Sequence, residues 1–594
     1  MDRKFIRSIK SAGRTDGRQS RGSEEVTTNG GIVVAAIDFG TTNSGYAFSF
    51  KHEFGTDPLR IHVAQGQMNA KQPTCLLLTP KKALDSFGHE AKAKYLALSN
   101  EGKHEKWYFF WEFKMTLHQH KEIHGNYKLT AENGLKMDAL TVFSLSIKYL
   151  KDHLLGMLKG SFSGVEEKDI TWVITVPAIW NDSAKKFMRK AAEKAGIEKS
   201  CIEIALEPEA ASIYCRQLPI TRDPQTETGM TKFPAGTRYL ILDCGGGTVD
   251  VTVHEVLEGN SLKELHSATG GNWGGTVVNK AFVSFVSHLV GPVVFQEFSS
   301  KFKSDYLEML DEFENKKKMT KPDSMETVTI RIPIQLQDMF YKSANTSLND
   351  QALKTKYKSK IKIVGDKIRI DAAVFKSFFD GAVADIIAHV RDLVDSLPRP
   401  VKAILMVGGF SESPVLQRAV KDAFQRKVDV ITPVDASLCI MKGAVLFGHQ
   451  PSKITERICR FTYGVAMVVP FVNGKHPESK KITVDGQNLC NDVFDKHVQA
   501  GQTVVTGETQ KTCTYFPLSE KDQVYAVVVF KSTKPDPMFV DEPGCECVGF
   551  YMVERESGRR NDSVDVRISF GSSDIVVETI KRDGSVHKAD FSMD

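Results

Sequence analysis

The sequence predicts an α/β architecture of two related lobes followed by a small all-β domain. Three observations carry this. An apolar strand that runs into a Gly-Thr-Thr turn and returns as a second strand occurs in GIVVAAIDFGTTNSGYAFSF. About two hundred residues later the same grammar recurs in RYLILDCGGGTVDVTVHEV, which marks an internal duplication. Amphipathic helical segments interleave with strands up to residue 450, and beyond it the helical period stops and short alternating strands take over.

At 594 residues the chain exceeds the roughly 250–300 at which a single hydrophobic core stops growing, so several domains are required. Hydrophobic residues at 41% and charged residues at 25% describe a globular chain and exclude the disordered and collagen-like classes. Lys and Arg number 78 against 73 Asp and Glu, and a net +5 is too small for this length to gather nucleic acid. No run approaches the roughly 20 apolar residues of a bilayer span, which argues against a membrane partner. The N-terminus is basic without an apolar stretch of signal-peptide type, which predicts a cytoplasmic protein, with the nucleus also open. Ten cysteines without a repeated CxxC framework read as reduced thiols, and Cys545 and Cys547 as alternate strand positions rather than half of a metal site.

The elements follow in order. Residues 1–31 are polar with basic residues from Arg3 to Arg21 and no apolar period, the pattern of a disordered tail. From residue 32 the first hairpin begins. A helix is expected over 183–195, with Phe187, Met188, Ala191 and Ala192 on one side, Asp182 as cap and Gly196 as stop. Residues 219–236, rich in Thr, Pro and Gly, read as a loop between the lobes. The second hairpin follows, then a helix over 385–397 with Ile386, Val390 and Leu393 on its apolar side. Next comes AILMVGGFSESPVLQRAVKDAF, a strand, a turn at Gly408 and Gly409, and a helix opened by Ser413 and Pro414. These divisions give one lobe over about 32–218 plus 433–450, a second over about 237–432, and a β domain over 451–594 with a sandwich-like core.

A Gly-Thr-Thr hairpin tip suits phosphate, since glycine lets backbone N–H groups approach an anion and the hydroxyls add donors. A single copy reads more readily as a plain turn with an Asp at its start. Two copies, each behind an apolar strand closed by a carboxylate (Asp38, Asp243), are better explained by a shared ligand with a hydrated cation. Glu207 in IALEPEAAS is either a further acid of this site or a helix N-terminal acid on the macrodipole, and the sequence leaves the two equal. Lys114, behind the aromatic run KWYFFWEFK, reads on its own as a lysine snorkelling from an apolar wall.

The ordered set IDFGTTNS, WVITVPAIWND, IALEPEAAS, LILDCGGGTVDVTV and ILMVGGFSESP resembles the actin-like ATPase core of the heat-shock 70-kilodalton chaperones. Details such as FGTTNSGYAFSF, KGAVLFG and NDVFDKHVQAGQTV are most similar to the divergent subfamily called heat shock 70 kDa protein 12. The resemblance implies two lobes of ribonuclease-H type around ATP or ADP and magnesium. It assigns Gly40, Thr41 and Thr42 to a first phosphate loop, and Gly245, Gly246, Gly247 and Thr248 to a second. Asp38, Asp243 and Glu207 match acids that hold hydrated magnesium or orient water, Asp243 and Thr248 of the second loop count with Glu207 among the catalytic positions, and Lys114 matches a lysine beside the γ-phosphate, which supersedes snorkelling. Gly408 and Gly409 match an adenosine loop, Glu314 and Lys317 an adenine clamp, and Pro177 and Asn181 an interlobe segment.

Departures from the family pattern are equally informative. Thr276 and Val277 stand where acids are usual, which puts a bound monovalent cation and full turnover in doubt. The usual acidic linker is replaced by SKITERICRFTYG with Lys453, Arg457 and Arg460, and the sequence ends without a helical lid or an acidic co-chaperone tail. The expectation is an ATP-binding, slowly hydrolysing atypical chaperone of stress-response type, holding clients weakly through its C-terminal β domain. The alternative is a non-enzymatic nucleotide sensor in which that domain docks a folded signalling partner. A sugar-kinase-type phosphotransferase would share the loops but leaves the terminal domain without a role.

Overall fold

The computed structural model describes residues 31–64, 70–119, 127–162, 164–218, 233–518, 524–554, 563–570 and 575–589. The basic tail up to residue 30 and most of the 219–236 loop lie outside them. The chain divides into two compact units, Ile32–Thr455 and Glu456–Asp594.

The first unit contains the duplication as pairing order. In one lobe Val33–Phe39 pairs in parallel with Ile170–Val176, which pairs in parallel with Ile202–Leu206, while Asn43–Phe50 lies antiparallel on the other side. In the other lobe Arg238–Cys244 pairs in parallel with Ala403–Val407, which is followed by Asp429–Ile431, and antiparallel with Val249–Val256. Order and sense are the same in both sheets.

Both faces of these sheets are covered, so the central parallel strands Val33–Phe39, Ile170–Val176, Arg238–Cys244 and Ala403–Val407 bury residues on both sides. Val33, Ala35, Ile37 and Phe39 join a core with the helices Ala139–Ser161 and Asp182–Lys194. Val34 and Ala36, on the opposite face, join a second core with Glu207–Cys215 and Cys439–His449, to which Tyr239, Ile241 and Leu405 of the second sheet also belong. Those two helices therefore lie between the sheets. They approach so closely that a Cβ at Gly443 would sit 1.8 Å from the Ala210 carbonyl oxygen, which requires glycine there. The outer face of the second sheet is covered by Gly275–Val290, Pro292–Lys301 and Asp380–Ser396 through Val278, Phe282, Phe298 and Ile386.

Two local expectations are corrected. The helix Asp182–Lys194 is capped by Asn181, whose Oδ1 accepts from Ala184 N at 2.8 Å, and Asp182 is its first residue, still favourably placed at the positive end of the helix. The helix expected over 385–397 begins five residues earlier, at Asp380, and Leu397 is its extended C-cap.

In the second unit the described residues form two antiparallel sheets. One contains Lys481–Val484, Gln487–Val498, Thr462–Pro470, Val524–Ser532 and Cys545–Glu554. The other contains Thr509–Tyr515, Val564–Phe570, Ile575–Lys581 and Val586–Ala589. Val465 and Val529 of the first pack with Val566, Ile568 and Val577 of the second in one core. No disulfide joins any of the ten cysteines, all of which lie among the described residues. Among the described residues no single helix is long and apolar enough to cross a membrane.

Candidate functional site

The tips of the two duplicated hairpins face each other. A Cβ on Gly246 would lie 2.4 Å from Thr42 Oγ1, and one on Gly247 would lie 2.8 Å from Thr41 Oγ1 and 2.2 Å from Met115 Sδ. Gly40 closes its own turn so tightly that a Cβ would meet the Asn43 carbonyl oxygen at 2.1 Å. The second tip is fixed by Gly245 N donating to Thr248 O at 2.9 Å, and the chain entering helix Gly275–Val290 docks on it through Gly275 N to Gly245 O and Thr276 N to Gly246 O. Thr276 thus uses its backbone to brace the glycine loop, while Val277 packs on the second-lobe core.

Behind the tips lies a set of buried charges. Lys114, on the short turn Phe113–Met115, is 2% exposed, donates to Glu207 Oε1 at 2.7 Å and lies over the Trp180 ring at 5.1 Å. The aromatic wall is real, but the lysine faces inward to an acid rather than out to water. Glu207 is also the first residue of its helix, the position that the macrodipole reading expects, and it lines the cavity described below. Burial pushes its carboxyl up to about 7 against the pull of Lys114, with Asp38 and Asp250 adding to the rise. Asp243 is buried at the end of the second central strand, its Oδ1 has no hydrogen-bond partner, and burial with Glu207 and Asp250 nearby raises it well above the usual carboxylate range. Gly408, at φ +87°, leaves room there, since a Cβ would lie 2.4 Å from that oxygen. Asp38, at the equivalent end of the first strand, accepts from Thr175 Oγ1 at 2.9 Å and pairs with Lys71 Nζ at 2.6 Å.

A cavity of about 580 Å³ is lined by Asp38, Gly40, Thr41, Thr42, Lys114, Glu207, Asp243, Gly245, Gly246, Gly247, Thr248, Glu314, Lys317, Gly408 and Gly409. At its far end Lys317 donates to Gly275 O at 3.1 Å, Asn279 Oδ1 at 2.9 Å and Glu314 Oε2 at 2.6 Å, which ties Lys303–Met319 to the helix behind the glycine loop. Burial alone would raise Glu314, but Lys317 holds it below the usual range. Phe410, after the two glycines, offers an apolar wall beside this end. Pro177 and Asn181 are not among the lining residues; Asn181 caps a helix and the Pro177 carbonyl accepts from Trp180 N.

Sequence reasoning missed two charged members. Lys71 precedes Gln72 in a three-residue edge strand, far in sequence from Asp38, and nothing in its surroundings marks it. Asp250 sits in the alternating run VDVTVHEV, where a polar residue reads as solvent-facing, yet it is buried, accepts from Ile179 N at 3.0 Å and is pushed up by burial to about 6. The usable signal was that a strand in a sheet covered on both faces has no solvent side.

Four buried acids stand with two lysines among them, and the unpartnered Asp243 oxygen is the natural place for a hard cation. The residues therefore fit hydrated magnesium, which Asp243 and Asp38 would hold. The cavity end lined by glycine and threonine donors suits phosphate.

Duplicated α/β lobes enclosing a glycine-lined, carboxylate-backed cleft define an actin-like class of protein. The family model described as Hsp70 protein matches residues 34–510, and the chain belongs to that family. Human heat shock 70 kDa protein 12A is 35% identical over 615 residues, covering 92% of this chain and 89% of that protein. Human heat shock 70 kDa protein 12B is 34% identical over 621 residues with the same coverage, and Chaperone protein dnaK of Cyanidium caldarium is 22% identical over 509 residues, covering 80% and 71%. The similarity to the protein 12 branch agrees with the motifs quoted above.

The raised carboxyls make a pH prediction. Glu207 at about 7 and Asp250 at about 6 keep protons in the folded state that the unfolded chain has already released, so the folded state binds more protons between the ordinary carboxylate range and about pH 7. Stability of the nucleotide-free, chelator-treated protein should fall as pH rises through that window. Glu207→Gln, which cannot ionise, should flatten the fall by an amount on the order of 3 kcal/mol. Thermal melts from pH 5 to 8 check this, and equal slopes in both proteins would refute the placement of Glu207.

Proposed function

We propose that the first unit binds Mg-ATP between its lobes and hydrolyses it slowly to ADP and phosphate, and that the second unit engages client proteins, making this an atypical chaperone. The observation that carries the reading is the facing pair of glycine tips in front of the buried Lys114–Glu207 pair. Thr41 and Thr42 with the backbone of Gly245, Gly246 and Gly247 hold the β- and γ-phosphates. Adenine lies toward Lys317 and Phe410, with Gly408 and Gly409 against the adenosine. Asp38 and Asp243 would hold magnesium through water, and the ion would supply charge neutralisation to the phosphates.

The reaction is attack of water on the γ-phosphorus with departure of ADP, so the protein positions and stabilises charge and needs no covalent nucleophile. Lys114 faces charge that develops on the transferring phosphoryl oxygens. Glu207, raised to about 7, accepts a hydrogen bond from the attacking water and is basic enough to assist its proton loss. Thr248 orders the same corner by donating to Asp250. The name of the Cyanidium relative, a chaperone protein, supports the client role.

A second reading is favoured by one observation. Lys71 already pairs with Asp38, one of the two carboxylates that would hold hydrated magnesium. A protein so built would bind nucleotide as a sensor and dock a folded signalling partner, with little turnover.

Three measurements separate these readings. Gly246→Val, whose added atoms must occupy the space between the tips, should weaken Mg-ATP binding at least tenfold in isothermal titration; unchanged affinity would sink the site. Lys114→Ala and Glu207→Ala should each slow single-turnover hydrolysis about a hundredfold while leaving ATP affinity within a few-fold, because these groups act chiefly in the transition state. Wild-type protein that binds ATP without turnover would establish the sensor reading instead. Apolar heptapeptides added to the whole chain should show fast, weak binding by fluorescence anisotropy, little different in ATP and ADP; an absence of peptide binding removes the chaperone role.

A further inference from the structure

The second unit contains a group of side chains that neither reading uses. Asp495 and His497 are two residues apart in the strand Gln487–Val498, and Lys511, Cys513 and Tyr515 alternate in Thr509–Tyr515, so the period of two puts each set on one face of its strand. The two strands belong to different sheets. One ligand-capable atom each of Asp495, His497 and Cys513 lies within 4.8 Å of the others. We propose that Asp495, His497 and Cys513 form a zinc site that ties the two sheets of this unit together.

The hydrogen bonds around the group leave one nitrogen of His497 without a partner. Tyr515 Oη donates to Asp495 Oδ2 at 2.6 Å and lies 2.8 Å from His497 Nε2. A hydroxyl that gives its proton to the carboxylate must accept from the imidazole, so Nε2 carries the ring proton and Nδ1 presents its lone pair. His497 is 5% exposed and its Nδ1 is buried without a well-formed hydrogen bond. That is the arrangement of a metal-binding histidine, whose second nitrogen is held by a neighbouring oxygen. Asp495 Oδ1 is left with Lys511 Nζ at 3.3 Å, and the same ammonium also bonds to Cys513. A cation thus already stands between Asp495 and Cys513, on a side chain that is 45% exposed and also donates to the Lys496 carbonyl at 2.8 Å.

Mixed sulfur, nitrogen and oxygen donors select zinc over magnesium or calcium, which take oxygen alone. A tetrahedral zinc with bonds of about 2.0–2.3 Å needs its ligands roughly 3.3–3.7 Å apart, so the group would close by about an ångström. Cys513 gives up its thiol proton as the sulfur–zinc bond forms. Water or Tyr515 completes the fourth position.

The test uses the full chain, reduced and stripped with chelator, in excess Mg2+ to occupy the oxygen sites of the first unit. Zinc chloride is titrated against a chromophoric chelator, cobalt chloride serves for spectroscopy, and melts are run with and without zinc. Wild type should take up a zinc ion that Cys513→Ser and His497→Gln bind at least tenfold more weakly. Its cobalt form should show a thiolate charge-transfer band that Cys513→Ser lacks, and zinc should raise the melting temperature of wild type but not of these variants. Lys511→Met removes the competing ammonium and should tighten zinc binding, a result that no loss of folding can imitate. The site is refuted if wild type takes up no zinc, if Cys513→Ser keeps both the affinity and the cobalt band, or if Lys511→Met weakens binding.

Discussion

The buried pair of Lys114 and Glu207 is the interaction on which the first unit turns. Taking two such charges out of water costs several kcal/mol for each, and their attraction seldom returns more than this, so an apolar pair of similar volume would serve stability as well. What the pair does is place an ammonium and a carboxylate of near-neutral pKa at a fixed point behind two glycine tips. Each partner is immobilised by the surrounding fold. Lys114 lies on a turn against Trp180, and Glu207 is the first residue of a helix clamped between the two sheets. The close contact of Gly443 with Ala210 sets how near that helix can lie to its neighbour, and so where Glu207 points.

Duplication explains why the acids come in related positions. Each central strand ends in a carboxylate, Asp38 or Asp243, at the point where the chain turns into a glycine tip. The two copies have diverged in how they satisfy that carboxylate. Asp38 has Thr175 and Lys71; Asp243 keeps an oxygen with no partner and shares its surroundings with Glu207 and Asp250. The asymmetry makes one side a structural anchor and leaves the other open to an incoming cation.

The two lobes and most of the cleft were legible in the sequence because the signals are local. A strand, a glycine turn and a second strand lie within twenty residues, and Gly408 with Ser413 and Pro414 marks a turn and a helix start in one stretch. Lys71 and Asp250 were not legible for opposite reasons. Lys71 meets Asp38 only through the pairing of a three-residue edge strand. Asp250 obeys an alternation that normally means a wet face, in a sheet that has none. The same ambiguity hid Asp495, His497 and Cys513, whose polar positions read as an outer strand face until the second sheet was packed beside them. Strand register within a sheet can be read from periodicity; which faces meet cannot.

The Lys71–Asp38 pair bears most directly on how fast such a site can work. At 2.6 Å, and with Lys71 largely shielded, the ammonium forms an ion pair with an Asp38 oxygen that makes no hydrogen bond and would otherwise face the water shell of magnesium. A divalent ion that keeps its waters stands farther off, and the attraction between charges falls with distance, so magnesium does not automatically displace a lysine in direct contact. If the lysine stays, the ion is oriented by Asp243 alone, and phosphate binding gains a positive neighbour while geometric control of the reacting group loses one of its two anchors. Binding and turnover are then affected in opposite senses by a single residue. On the reading proposed above, the added lysine on one of the two magnesium carboxylates biases the cleft toward binding nucleotide over cleaving it.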